Sequence, residues 1–154
     1  MSGSFSEERA RQLGVLADFV VADHRDARRV CESSCPSRDF MGLDAKGIDT
    51  VKLGKLHVVL RGGEFDPSIH EPLCAGGDEG PWVFEVPPDL VQRLAGLTPH
   101  QLTESGKKWA ATEEFSPRYD NWPAQRVQQV LGDLAALCKR AADEGKVVLM
   151  WMCL

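Results

Sequence analysis

The sequence predicts an α+β domain: a small sheet of about three or more strands with a buried C-terminal strand, packed against several helices. Three observations predict it. Val147–Cys153 is apolar at both alternating sets of positions, as a central strand covered on its two faces requires. Residues 123 to about 144 repeat apolar side chains at three- and four-residue steps, the stripe of a long amphipathic helix. Between the chain ends, strand-like and helix-like runs follow the order β, α, α, β, α, α, α, β, with no internal repeat and no low-complexity tract.

Each element has its own reason. Residues 15–22 are β-branched and apolar, a strand, and Asp23 stands as a helix N-cap ahead of residues 26–31. Residues 33–46 and 62–81, rich in Gly, Pro, Ser and Asp, read as loops. Leu53, Leu56 and Leu60 space a helix over 49–61, stopped where Gly62-Gly63 admit positive φ. Residues 82–86 form a short strand ended by Pro87-Pro88, and 89–94 a short helix. Thr98 caps a further helix with Pro99 at its first position, expected to run to about Phe115. Val127, Val130, Leu131, Leu134, Leu137, Cys138 and Ala141 mark the buried stripe of the long helix, which Gly145 closes. The domain is expected over residues 13–154, with residues 1–12 a dispensable extension, helical from a Ser6 cap.

Composition excludes several classes of function. The chain has 154 residues, 43% of them hydrophobic, so a core can form without disulfide or metal staples. With 18 Lys+Arg against 23 Asp+Glu the net charge is −5, and no basic cluster is free of acidic neighbours, which argues against nucleic acid as partner. Five scattered cysteines, an odd number, suit reduced thiols in a cytosol. The N-terminal residues lack the apolar core of a signal peptide, and the longest apolar run is far short of the ~20 residues of a membrane span. The expected setting is cytoplasmic, away from membranes; no pattern in the chain speaks to oligomeric state.

A family resemblance rests on particular residues: Leu43-Asp44 with Lys46, Leu56-His57, Leu60 and Gly62, Phe65-Asp66-Pro67, and Pro72-Leu73. The opening Gly14-Val15-Leu16-Ala17-Asp18-Phe19 and the helix ending in Ala141-Ala142-Asp143-Glu144-Gly145 before an apolar strand extend it to the C-terminus. In these positions the chain resembles the uncharacterised bacterial family typified by YfbM. Residues 1–12 have no counterpart in that pattern, and residues 82–86 fit it poorly. The resemblance implies an α+β fold; it implies no activity and transfers no catalytic residue.

Candidate site residues fall into three groups. His57 lies on the stripe of Leu53 and Leu60, at or near a buried face, and is the best catalytic candidate; a core histidine bonded to backbone is the simpler reading. Asp49 is two helical turns away, roughly 12 Å, so a partnering carboxylate must come from elsewhere, such as Glu113 or Glu114. Asp44, Lys46, Asp49 and Lys52 bunch at a helix start, where an anion would be favoured, though carboxylates there also serve as caps. Trp109, Glu113, Tyr119 and Trp122, with Phe115 and Asp120 between them, would make an aromatic-acidic patch for another protein; alternatively Trp109 and Phe115 belong to the core and Trp122 staples the long helix.

Other motifs lead nowhere. Cys31 and Cys35 have the wrong spacing for zinc or a thioredoxin-like pair, the four histidines are isolated, and neither a phosphate loop nor a Gly-x-Ser-x-Gly elbow is present. No cofactor and no metal are expected. The balance is against an enzyme and points to a small cytosolic binding, interaction or regulatory module, with a hydrolase or transferase using His57 and a carboxylate from another element as the alternative.

Overall fold

The computed structural model describes residues 15–154, so the expectation of a dispensable extension over residues 1–12 lies outside it. The described residues form β1 (Leu16–Ala22), α1 (Ala27–Glu32), α2 (Pro36–Asp39), β2 (Met41–Asp44), α3 (Thr50–Arg61), β3 (Cys74–Ala75), β4 (Trp82–Glu85), α4 (Pro88–Ala95), α5 (Pro99–Ala110), α6 (Ala124–Glu144) and β5 (Val147–Cys153). The strands pair antiparallel in the order β2-β1-β5-β4-β3.

Why β5 is central follows from its two apolar faces. Met150 lies opposite Phe19 on one side and Phe84 on the other, and Leu43 extends the row beyond Phe19. That row meets α3 to α6 in the main core, with Leu53, Leu56, Leu90, Trp109, Leu131 and Leu134. Trp151 points the opposite way, between Asp18 and Val83, into a smaller cluster under Val30 and Cys31 of α1. The fold is a single-domain α+β one, with an unequal covering on the two faces of its sheet.

Local chemistry sets the helix ends. Thr98 accepts from Gln101 N at 3.2 Å while the Gln101 side chain accepts from Thr98 N at 3.0 Å, a capping box behind Pro99. α6 stops because Gly145 turns left-handed, φ 65°, and Lys146 N returns to Ala141 O at 2.9 Å.

Three expectations need correction. The stretch read as a loop over 33–46 contains α2 and β2, and that over 62–81 contains β3. Gly42 makes β2 invisible to a propensity argument, yet a Cβ there would lie 2.7 Å from Phe19 O and 2.8 Å from Ser37 Cα, so close packing rather than flexibility selects it. Asp23 makes no side-chain cap; it precedes a 3-10 turn, His24–Asp26, and α1 begins at Ala27. Finally, α5 ends at Ala110, short of Phe115, because Thr112 folds its hydroxyl and its N–H onto Trp109 O, at 2.6 and 3.0 Å. A 3-10 turn, Glu113–Phe115, follows.

Candidate functional site

One side of the first two turns of α3 is enclosed: Thr50, Lys52, Leu53, Gly54, Leu56 and His57 are buried, while Val51 is exposed. Asp49 caps the helix, accepting from Lys52 N at 2.8 Å. The ring of Phe65 lies so close over Gly54 that an added Cβ would sit 2.1 Å from it. Three polar side chains of α3 are buried, and each needs a partner: Thr50 has His70 Nδ1 at 2.7 Å, and Lys52 and His57 have more elaborate surroundings.

Lys52 is 1% exposed. Its ammonium donates to Gly47 O at 2.8 Å and to Asp120 Oδ2, with Asp49 Oδ2 at 3.9 Å. The rings of Trp122 and Phe115 flank it, their centroids 5.6 and 5.7 Å away. Its own carbonyl accepts from the indole N–H of Trp109 at 2.9 Å. One lysine thus ties the start of α3 to the segment between α5 and α6. That segment is further closed on itself: Tyr119 N and Asn121 N both donate to Ser116 O at 3.0 Å, and Trp122 N to Phe115 O at 3.0 Å.

His57, 3% exposed, bonds to a carboxylate that sequence reasoning did not propose. Its Nε2 lies 2.7 Å from Asp89 Oδ2, at the start of α4. Glu114, considered for this part, instead approaches Lys55 at 3.6 Å, and Glu113 is exposed. Burial acts to raise the Asp89 carboxyl, but the hydrogen bond and charge of His57 more than offset this, so its pKa is held below the usual carboxylate value. Since the carboxylate accepts, Nε2 donates; Nδ1 is enclosed and has no partner.

The nominated residues separate. Asp44 closes a turn by accepting from Lys46 N at 3.2 Å, Lys46 is exposed, and the ammonium of Lys52 is engaged internally, so the four residues at the α3 start do not converge on an open anion cradle. Trp109 is fully buried and Trp122 8% exposed, packed through Phe115 at ring distances of 5.3 and 5.2 Å. Tyr119 is different: 43% exposed, with the Arg118 guanidinium 5.9 Å from its ring. Asp89 and Asp120 were missed as functional partners. The only signal for either was an acidic residue beside a helix start or an aromatic cluster.

A depression of about 380 Å³ lies elsewhere, lined by Arg29, Glu32, Ser33, Asp39 and Phe40, none of them nominated. Among the described residues no three His, Cys, Asp or Glu side chains converge as a metal site would need, and no helix is long and apolar enough to cross a membrane.

No protein-family model matches the chain, and no curated protein does. Among solved structures it is similar to the crystal structure of YfbM from Escherichia coli, a protein of unknown function. That match has 16% identity and a TM-score of 0.42, and covers 89% of this chain and 99% of that one. It assigns no role to any residue.

Proposed function

We propose that the chain is a small cytosolic binding module that engages a protein partner through the segment 116–121, with Arg118 and Tyr119 as the contacting side chains. One observation carries this reading. Arg118 and Tyr119 are exposed while the backbone beneath them is held by its own hydrogen bonds and, through Asp120, by Lys52. Tyr and Arg are the residue types that anchor interfaces, and a segment already ordered loses little entropy on binding. The aromatic-acidic patch is thereby narrowed: Trp109 and Trp122 support it from below, and Glu113 and Tyr119 remain at the surface.

A photo-crosslinking side chain at position 119 tests this, with position 139 on α6 as control. Expected is a discrete adduct from 119 that disappears with Arg118→Ala. Identical products from both positions would overturn the reading.

The alternative, a hydrolase or transferase, has the His57 to Asp89 pair in its favour. Against it, the ring nitrogen that would have to accept a proton from substrate is the enclosed Nδ1. Turnover of an ester or phosphoester that survives in wild type and is lost in a stable His57→Gln protein would favour the enzyme.

A further inference from the structure

The thinly covered face of the sheet brings together two thiols that lie far apart in sequence. Cys31, on α1, is 6% exposed and belongs to the cluster of Val20, Val30, Val83, Leu149 and Trp151. Cys74, the first residue of β3, is half-buried and packs against that same cluster. The Sγ of Cys31 lies 3.7 Å from the carbonyl oxygen of Pro81, in the turn joining β3 to β4, and Cys74 pairs with Val83 across that hairpin. The helix α1 packs directly against β3, and burial first, then the neighbouring Cys74 thiol, push the Cys31 thiol up to about 11.

We propose that Cys31 and Cys74 are a redox-sensitive pair that closes to a reversible disulfide when the protein meets a low-molecular-weight disulfide. Cys74, the more exposed thiol, reacts first. As thiolate it attacks one sulfur of the external disulfide; a mixed disulfide forms on Cys74 and one small thiolate leaves. Cys31 then attacks the Cys74 sulfur, and the second small thiol leaves carrying the proton that Cys31 gives up. Two protein thiols are oxidised by two electrons, and one external disulfide is reduced to two thiols. Burial disfavours the Cys31 thiolate, so the second step is the slow one and quickens with rising pH.

Of the remaining cysteines only Cys153 also packs against this cluster, and its Sγ is turned to backbone carbonyls of Glu79 and Leu154. Cys138 is fully buried in the main core, and burial pushes its thiol up to about 12. Cys35 Sγ lies 3.8 Å from Ser37 Oγ, and Cys153 Sγ 3.9 Å from Glu79 O. Closure of Cys31 to Cys74 fastens α1 to a hairpin that β3 otherwise anchors through two paired residues. The edge of the sheet is therefore what oxidation rigidifies.

The test is incubation of the full chain with glutathione disulfide, followed by peptide mapping without reduction and by thermal melting. Expected are a loss of about 2 Da, a cross-linked peptide joining Cys31 to Cys74, and a melting temperature higher by about 5–10 °C that dithiothreitol returns to its starting value. Cys74→Ser removes all three changes. Cys31→Ser stops the reaction at glutathione on Cys74, a mass gain in place of a loss. Because Cys74 is half-buried at the sheet edge, its serine variant folds, and the comparison does not rest on the buried position alone. Oxidised protein in which Cys31 still reacts with an alkylating agent, or in which Cys74 pairs with Cys35 or Cys153, would overturn the proposal.

Discussion

Lys52 and His57 stand five positions apart on α3, both shielded from water at 1% and 3% exposure, yet their surroundings differ. The lysine has an oxygen partner on backbone, a carboxylate from a distant segment, and two aromatic faces around its charge. The histidine has one carboxylate on one nitrogen and nothing on the other. The difference teaches which polar groups the fold depends on. A buried ammonium without partners costs several kcal/mol, so its full set of contacts holds the surrounding segments in place. An imidazole with an orphaned nitrogen carries a cost of about 1–3 kcal/mol and leaves a local weakness.

The largest expected effect comes from breaking the stronger of the two. Lys52→Ala should destabilise by about 3–5 kcal/mol, because it opens a cavity beneath Trp122 and Phe115 and leaves Asp120 unpaired. Denaturant melts measure it; a loss under about 1 kcal/mol would show that the lysine is no keystone. Lys52→Met sharpens the point by keeping volume without charge. It should recover part of that stability while tryptic cleavage after Arg118 becomes faster than in wild type, since the segment 116–121 loses its tie through Asp120.

His57→Gln should cost less, on the order of 1–2 kcal/mol, with the fold retained. An equal loss at both positions would erase the distinction between them.

Asp89→Asn should change stability at neutral pH by no more than about 1 kcal/mol, because Asp89 is half exposed and its pair is screened. Its signature lies in pH. The Asp89 carboxyl is held below its usual value in the folded protein, so its contribution is complete above the unfolded-state pKa, about 4, and fades as pH falls through the lower folded value. Acid titrations of stability should therefore fall less steeply below about pH 4 in Asp89→Asn than in wild type, and identical acid limbs would show that the pair contributes nothing.

The smallest effect on stability is expected at the surface. Tyr119→Ala and Arg118→Ala should each lie within about 0.5 kcal/mol of wild type by thermal melting, while Arg118→Ala removes the adduct formed from position 119. A large loss of stability would move both side chains from a contacting to a structural role.

Elements with strong internal periodicity are legible in the amino-acid sequence alone. The stripe of α6, the capping residues Thr98 and Asp49, the stop at Gly145 and the two apolar faces of β5 all announce themselves within a few residues, because each reports only how its own segment meets water or core. The burial of His57 is legible for the same reason, from Leu53 and Leu60. β2 and β3 are not, since short edge strands containing Gly or lying among turn residues have no period of their own and take their shape from the strand they pair with.

The partners are illegible for a stronger reason. Asp120 lies 68 residues from Lys52, and Asp89 lies 32 from His57. Local pattern says that a side chain is buried; it does not say which distant carboxylate will be beside it when helices from different parts of the chain pack together. Periodicity and capping within single segments are enough to establish the helices, the central strand and the α+β class. Packing between segments chooses which charges are sealed, which nitrogen is left empty, and why Tyr119 stays at the surface while Trp109 and Trp122 go inside: a lysine needs aromatic walls and a carboxylate, and only the folded chain brings all three to it.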